Sequence, residues 1–188
     1  GVRYVWFGFD NDKETYLNIA EIEIYSGGEN IVKNWDREPE KLEGVTVSSI
    51  SAWQEGVLNQ SKLFDGEKTG NSMFHSEFEK GNYFKIDLGK EYTIEEVKVF
   101  NREQCNACND RWEGAVLKLL DSSENVLKTG EAITAADTDI GIFEGGPKTY
   151  RFAANPDTLA KLEGIMDVVP ADFTTISDSQ WREIIPAC

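Results

Sequence analysis

The sequence predicts an all-β protein, built as an antiparallel sandwich, and three observations support this fold class. Short runs rich in aromatic and β-branched residues recur along residues 1–152. Turn-forming segments such as SGGEN, DGEKTGN and DSSEN separate these runs. In one run, Ile22 and Ile24 alternate with Glu21 and Glu23, as in a strand with one buried face. Several short strands at this spacing are typical of a sandwich.

The predicted strands follow one another along the chain with loops between them. The N-terminal runs, VRYVWFGF and LNIAEIEIY, are predicted to be the first two strands. Residues 33–44 are charged and contain a proline, so they are predicted to form a loop. Six further strands are predicted at residues 44–50, 82–89, 93–101, 114–122, 125–130 and 148–153.

The character of the sequence changes after Phe152. The segment NPDTLAKLEGIMDVV carries apolar residues at helical intervals, and either Asn155 or Asp157 can serve as its N-cap. The sequence therefore predicts a sandwich domain over residues 1–152 and a short helical C-terminal extension over residues 153–188.

Composition and charge narrow the class of protein. The 188-residue chain is 40% hydrophobic and 11% aromatic, which is enough for a packed core. Its formal net charge of −15 argues against binding to nucleic acid or to an anionic membrane, since both need a basic surface. No apolar run approaches the length needed to cross a bilayer. One cysteine pair with Cys188 left over suits a secreted chain, with an intermolecular partner as one fate for Cys188.

Catalytic and cofactor motifs are scarce in the sequence. The segment FNREQCNACNDRW contains a single Cys-x-x-Cys, and His75 is the only histidine, so a structural zinc site lacks its usual paired ligands. A redox Cys-x-x-Cys would open a helix after a strand, whereas this one lies between two predicted strands. Phosphate-binding glycine loops and nucleophile-elbow motifs are absent from the sequence. We expect a non-catalytic protein, although an acid pair for glycoside hydrolysis is a remaining alternative.

The segment KLFDGEKTGNSMFH contains a polar loop that can bind a cation. Asp65 and Gly66, followed by Gly70, Asn71 and Ser72, form a tight turn with several oxygen atoms. Calcium takes six to eight oxygen ligands from carboxylates, carbonyls and hydroxyls. An ordinary Asp-Gly turn is the alternative, and the loop taken alone favours that alternative.

Read together, three segments resemble the F-type lectin (fucolectin) family. These are LFDGEKTGNSMFH, NYFKIDLGKEYTIEEVKVFNR and the arginine- and cysteine-containing loop that follows. That family belongs to the discoidin, or coagulation-factor type C, group of galactose-binding-like jelly-roll domains. The resemblance covers about the middle half of the chain. It implies a jelly-roll sandwich and a binding module for sugars.

A second resemblance concerns the N-terminus. The run LNIAEIEIY looks like the last strand of family domains, and no such strand follows Phe152. The resemblance therefore implies a circular permutation, in which residues 1–30 supply the family's C-terminal strands. It also implies a calcium site with carboxylate or hydroxyl oxygens from Glu21, Asp65 and Ser72. The carbonyl ligands would come from Ala20, Lys62 and Glu67. Glu21 has an alternative role as a solvent-facing strand residue.

The resemblance also implies a sugar site. His75, Arg102 and Arg111 would be the basic residues that contact sugar hydroxyls, and Cys105–Cys108 would be a disulfide that braces the loop. Trp53 lies in a loop where family members add contacts. The chain departs from the family pattern at Gln104, which replaces an aspartate, and by two residues between the cysteines. Each candidate also has a structural alternative: burial for His75 and Trp53, and ion pairing with nearby acids for Arg102 and Arg111, which for Arg111 would be Asp110 or Glu113.

These residues predict a secreted or cell-surface, calcium-binding lectin-like module for fucose- or galactose-type sugars. A single shallow site binds weakly, so we expect an oligomer or a multidomain parent. One alternative is a calcium-stabilised adhesion module that binds an extracellular protein and has no sugar site. Another is an accessory domain of a larger carbohydrate-active protein.

Overall fold

A computed structural model describes the chain at residues 1–33, 44–53, 60–68, 72–102, 108–138 and 146–152. The chain divides into two compact units, Gly1–Phe152 and Ala153–Cys188. The predicted helical extension and most of the predicted charged loop lie outside the described residues. No helix among the described residues has the length and apolarity needed to span a membrane.

The described part of the first unit is built mostly from short antiparallel strands. Every long run predicted from the sequence contains one of these strands, which confirms the all-β fold class. The short helical elements among the described residues are two 3₁₀ helices, Gln60–Phe64 and Asn109–Trp112, and the one-turn helix α1, Ala135–Thr138. The strands are β1 (Val2–Gly8), β2 (Glu14–Thr15), β3 (Asn18–Ser26), β4 (Glu29–Asn30), β5 (Thr46–Ser49), β6 (Phe74–His75), β7 (Glu79–Lys80), β8 (Tyr83–Tyr92), β9 (Glu96–Asn101), β10 (Val116–Leu120), β11 (Val126–Thr129) and β12 (Lys148–Arg151).

The strands form two main sheets. One has the order β11-β10-β1-β8-β5, and the other has the order β12-β9-β3-β4 with β6 paired to β3. All the recorded pairings in these sheets are antiparallel. The two long N-terminal strands lie inside the sheets, since β1 lies between β10 and β8, and β3 lies between β9 and β4. Residues 1–30 are thus an integral part of the sandwich, while their origin by circular permutation stays a prediction.

The core lies between the two sheets and is filled by alternating side chains. On β1, Val5 and Phe7 are fully buried, while Tyr4 and Trp6 on the other face are only half-buried. The ring of Phe84 packs against Phe7 on the neighbouring strand at 5.7 Å, and against Phe74 of the other sheet at 5.6 Å. Burying large aromatic side chains contributes roughly 1.5–3 kcal/mol each, so this cluster stabilises the sandwich.

Trp112 is a core residue that precedes strand β10. It ends the 3₁₀ helix Asn109–Trp112 and is 3% exposed. Its indole packs against the Phe7 ring at a centroid distance of 6.4 Å. The turn before β10 therefore anchors itself to the core through this tryptophan.

Candidate functional site

Strand pairing brings distant residues together at one end of the β3 sheet. Asn18, the first residue of β3, is the register partner of His75 on β6. The next residue, Ile19, is the partner of Asn101, the last residue of β9. Arg102 follows Asn101 directly, so His75 and Arg102 emerge on either side of the start of β3.

His75 is buried, with 8% of its surface exposed. Its Nδ1–H donates a hydrogen bond of 2.7 Å to the carbonyl of Ser76, since a carbonyl oxygen only accepts. Its own carbonyl accepts a bond of 2.7 Å from the Trp53 amide, which ties the loop containing Trp53 to β6. With Nδ1 so engaged, the neutral ring keeps Nε2 as an acceptor.

Arg111 lies in the 3₁₀ helix Asn109–Trp112 and reaches back to the start of β3. Its guanidinium donates a hydrogen bond of 2.9 Å to Oδ1 of Asn18 and lies 4.6 Å from the centroid of the Tyr16 ring. Such a position over an aromatic face is a cation–π contact. Within the described residues Arg111 forms no ion pair, so Asp110 and Glu113 are not its partners there.

Arg102 is half-buried beside the cysteine loop. One of its guanidinium nitrogens lies 3.8 Å from the sulfur of Cys108, which is a weak hydrogen bond. Its Nε is buried and has no hydrogen-bond partner in the described part of the structure. Cys108 is 4% exposed, whereas Cys105 lies outside the described residues, so the Cys105–Cys108 pairing stays a prediction.

Aromatic rings border these basic residues, and two of the rings were not predicted from the sequence. The Tyr16 ring lies at the centre, with centroid distances of 5.2 Å to His75, 5.2 Å to Phe78 and 6.0 Å to Trp53. Trp53 is half-buried and its ring lies 5.5 Å from His75, whereas Phe78 is 53% exposed. Tyr16 and Phe78 flank predicted strands, and their residue types alone gave no signal for a site.

His75, Arg102 and Arg111 form a basic cluster. Positive charge within this cluster lowers the pKa of its members. Burial lowers the pKa of His75, and the charges of Arg111 and Arg102 lower it further. Burial also lowers the pKa of Arg102, and again the charge of Arg111 contributes. The histidine is therefore neutral at pH 7, and the two arginines carry the positive charge of the site.

A second cluster, of carboxylates, lies where β3 meets the loop after the 3₁₀ helix Gln60–Phe64. Glu21 is 1% exposed, and both of its carboxylate oxygens lie 3.2 Å from the Gly66 amide. Burial, together with the nearby charges of Asp65 and Glu23, raises the pKa of Glu21 to about 9. Glu21 is therefore not a solvent-facing strand residue.

Asp65 lies beside Glu21 and is only 6% exposed. One carboxylate oxygen accepts a bond of 2.9 Å from the Glu67 amide, and the other accepts a bond from the Ser72 hydroxyl. The Lys62 ammonium lies 3.8 Å from this second oxygen. The structure thus brings together three of the predicted calcium ligands, Glu21, Asp65 and Ser72.

The donor set of this cluster fits a hard cation. Two buried carboxyl groups and a hydroxyl are oxygen ligands, and a bound cation would favour the ionised form of Glu21. Among the described residues no group of three or more His, Cys, Asp or Glu side chains has metal-binding geometry, so the remaining ligands would have to be carbonyls or water. The carbonyl ligands expected from Ala20, Lys62 and Glu67 stay predictions.

Comparison with known proteins bears on the region that contains Asp65, Ser72 and the three basic residues, whereas Glu21 and Tyr16 lie outside it. A family model described as an F5/F8 type C domain, the NedA-like galactose-binding domain, matches residues 62–156, which is just over half of the chain. The comparisons with curated proteins and with solved structures gave no match. The family match confirms the predicted relationship to the discoidin, galactose-binding-like group. This chain therefore belongs to the F5/F8 type C family of galactose-binding-like domains.

Proposed function

We propose that this protein is a non-catalytic, calcium-binding carbohydrate-recognition module for galactose- or fucose-type sugars. The observation that carries the proposal is the convergence of His75, Arg102 and Arg111 beside the aromatic rings of Tyr16 and Trp53. Sugar sites combine a few convergent polar groups with an apolar or aromatic wall. Membership of the galactose-binding-like family supports the same class of ligand.

The residues of the site suit recognition of a hydroxylated ring. Arg102 and Arg111 each present a rigid fork of N–H donors to oxygen atoms. The neutral His75 ring offers Nε2 as an acceptor for a sugar hydroxyl. The half-buried Trp53 and the exposed Phe78 give an apolar surface against which the C–H face of a sugar can pack.

Calcium would act by holding the loop that leads into β6. Glu21, Asp65 and Ser72 would bind the ion, together with the carbonyls of Ala20, Lys62 and Glu67. Because His75 follows Ser72 by three residues, the ion would fix the start of the segment that carries the histidine. The ion supplies positive charge between two carboxylates and takes no part in a reaction.

The proposal includes a Cys105–Cys108 disulfide and an extracellular or cell-surface location. Support comes from Cys108, whose side chain is buried beside Arg102. Disulfides persist in oxidising compartments, which include the extracellular space. A single shallow site gives weak affinity, so we place the module in an oligomer or a multidomain parent, where linked sites bind together.

Thermal unfolding with and without sugar tests the carbohydrate site. We expect L-fucose or D-galactose at high concentration to raise the unfolding midpoint, since a ligand bound only by the native state stabilises it by mass action. The Trp53→Ala variant should lose this shift. Trp6→Ala is the matched control, because Trp6 lies on β1 in the other sheet and should keep it. If no sugar on a glycan array binds the calcium-loaded protein, an adhesion module that binds protein is the better function.

A separate variant tests the calcium site. Glu21→Gln keeps the shape of the side chain and removes the carboxylate. We expect calcium, compared with EDTA, to raise the unfolding midpoint of the wild type but not that of the variant. Glu29→Gln removes an exposed carboxylate from β4 and should behave as the wild type. A wild-type midpoint that is identical in calcium and EDTA would remove calcium from the proposal and leave the sugar site to be judged alone.

A further inference from the structure

We infer that the sugar recognised by the basic cluster carries an anionic group, either a carboxylate or a sulfate, which binds between Arg102 and Arg111. This inference rests on the proposed carbohydrate site and names the chemical class of its ligand.

Only neutral groups contact the two guanidinium groups in the described part of the chain. Arg111 donates to the amide oxygen of Asn18 at 2.9 Å, and Arg102 contacts the Cys108 sulfur at 3.8 Å. The other two arginines among the described residues are paired with carboxylates: Arg3 with Asp87, and Arg151 with Glu96 at 2.9 Å. The arginines of the site therefore retain charge that the fold does not neutralise among these residues.

Among the described residues, hydrogen-bond donors also outnumber acceptors at this site. Each guanidinium carries five N–H groups, and within this part of the chain each donates to one acceptor. Arg102 Nε and Asn18 Nδ2 are buried donors without a partner among the described residues. A buried donor without an acceptor destabilises the folded protein. A carboxylate accepts without donating, whereas a hydroxyl brings a donor of its own, so an anionic ligand matches this surplus better.

The charges of the cluster also repel one another. The positive charge of Arg111 lowers the pKa of both Arg102 and His75. An anion between the arginines would convert this repulsion into attraction, and its two oxygens fit the planar fork of arginine. His75, being neutral, would remain to accept from a ring hydroxyl. The site thus has separate positions for an anionic group and for a hydroxylated ring.

The net charge of the protein would not by itself produce a preference for an acidic sugar over a neutral one. With a formal net charge of −15, the chain repels small anions on average. A preference for the acidic form of a sugar must therefore come from a local group of cations. This makes the comparison of matched neutral and acidic sugars informative.

The test compares ligands that differ only at carbon 6. Isothermal titration would measure the binding of D-galactose, D-galacturonic acid and D-galactose 6-sulfate to the whole protein in the presence of calcium. We expect at least one acidic sugar to bind about tenfold more tightly than galactose, since hydrogen bonds to charged groups are stronger. The advantage should shrink at high salt. The stronger of the two acidic ligands identifies the anionic group as carboxylate or sulfate.

Variants separate the charge of the site from the charge of the protein. Arg111→Gln should bind the acidic sugar and galactose with similar affinity, whereas Arg111→Lys should keep part of the preference. Lys128→Gln is the control, because it removes one positive charge from the exposed strand β11. This variant should preserve the wild-type preference. Thermal unfolding of each variant confirms that it is folded.

Two outcomes would overturn the inference, and they differ in what they say about the proposed function. If galactose binds as tightly as both acidic sugars, the site is a lectin site for neutral sugars. The inference that its ligand carries an anionic group would then be wrong. If no sugar binds the folded, calcium-loaded protein, the carbohydrate function fails together with the inference.

Discussion

His75 is the only histidine of the chain, so its titration can be followed without interference from another imidazole. Burial and the charges of Arg111 and Arg102 lower its pKa below the usual 6.5. The unfolded chain therefore takes up this proton at higher pH than the folded protein does. The resulting stabilisation is present above about pH 6.5 and is lost as the pH falls through that value towards the folded-state pKa.

The direction of this pH dependence gives a prediction for the His75→Gln variant. Between about pH 7 and pH 5, we expect the free energy of unfolding of the wild type to fall more steeply than that of the variant. Urea unfolding at a series of pH values measures the difference, in which the carboxylates common to both proteins cancel. A ring-proton NMR titration of the folded wild type should give a midpoint below 6.5. Parallel pH profiles with a midpoint at or above that value would contradict the burial of a neutral imidazole.

The residues of the site were predictable only in part from the sequence. His75, Arg102 and Arg111 were found by resemblance, and the structure brings them together. Tyr16, Phe78 and Asn18 were missed because their proximity depends on the pairing of β3 with β6. Residue type alone does not report a contact between side chains that are about sixty positions apart.

At the scale of the strands, the long apolar runs were predicted and the two-residue strands were not. A strand such as β6, Phe74–His75, is too short for an alternating pattern to be recognised. The burial of Glu21 was also hidden, because alternation with Ile22 and Ile24 implies solvent on its face of the sheet. The loop containing Asp65 and Gly66 covers that face instead.

Gly8 shows how closely two of these strands approach, and this closeness predicts the effect of a substitution. Gly8 ends β1 with φ +156° and is the register partner of Tyr83 on β8. A Cβ at this position would contact the Asn82 carbonyl and would lie only 2.5 Å from the Tyr83 Cα. Backbone atoms cannot yield as a flexible side chain can, so Gly8→Ala must separate the ends of β1 and β8.

We expect Gly8→Ala to lower the free energy of unfolding by about 3 kcal/mol, measured by urea denaturation. Gly27→Ala is the matched control, because Gly27 also has a positive φ, +61°, but has no atom within 4 Å of the added Cβ. The control should lose only about 1 kcal/mol, from the left-handed backbone alone. Equal losses in the two variants would mean that the approach of β1 to β8 is not a constraint on the sheet.

For the whole molecule, composition and patterning were enough to predict a β-sandwich, because its core comes from alternation repeated in many strands. They did not reveal that both clusters form around β3, where Asn18 pairs with His75 and Glu21 accepts from the Gly66 amide. That arrangement depends on how the strands are ordered in the sheets, and short sequence segments carry no direct signal of strand order. The family resemblance grouped the basic residues and the carboxylates, but the strand order came only from the structure.

The distribution of the core predicts which part of the chain is sufficient for folding. The buried cluster of the described residues runs from Val2 to Tyr150, and Phe152 packs against it. A chain that ends at Phe152 should therefore unfold in one transition, with a midpoint within a few degrees of that of the full chain. It should also keep its response to calcium and to sugar.

A chain that ends at Gly146 is the control, because it lacks β12 and the buried Tyr150. Its midpoint should fall well below that of the chain that ends at Phe152. Calorimetry of the three chains measures both differences. If the chain ending at Phe152 does not fold, residues 153–188 are part of the stable unit and the division at residue 152 is wrong.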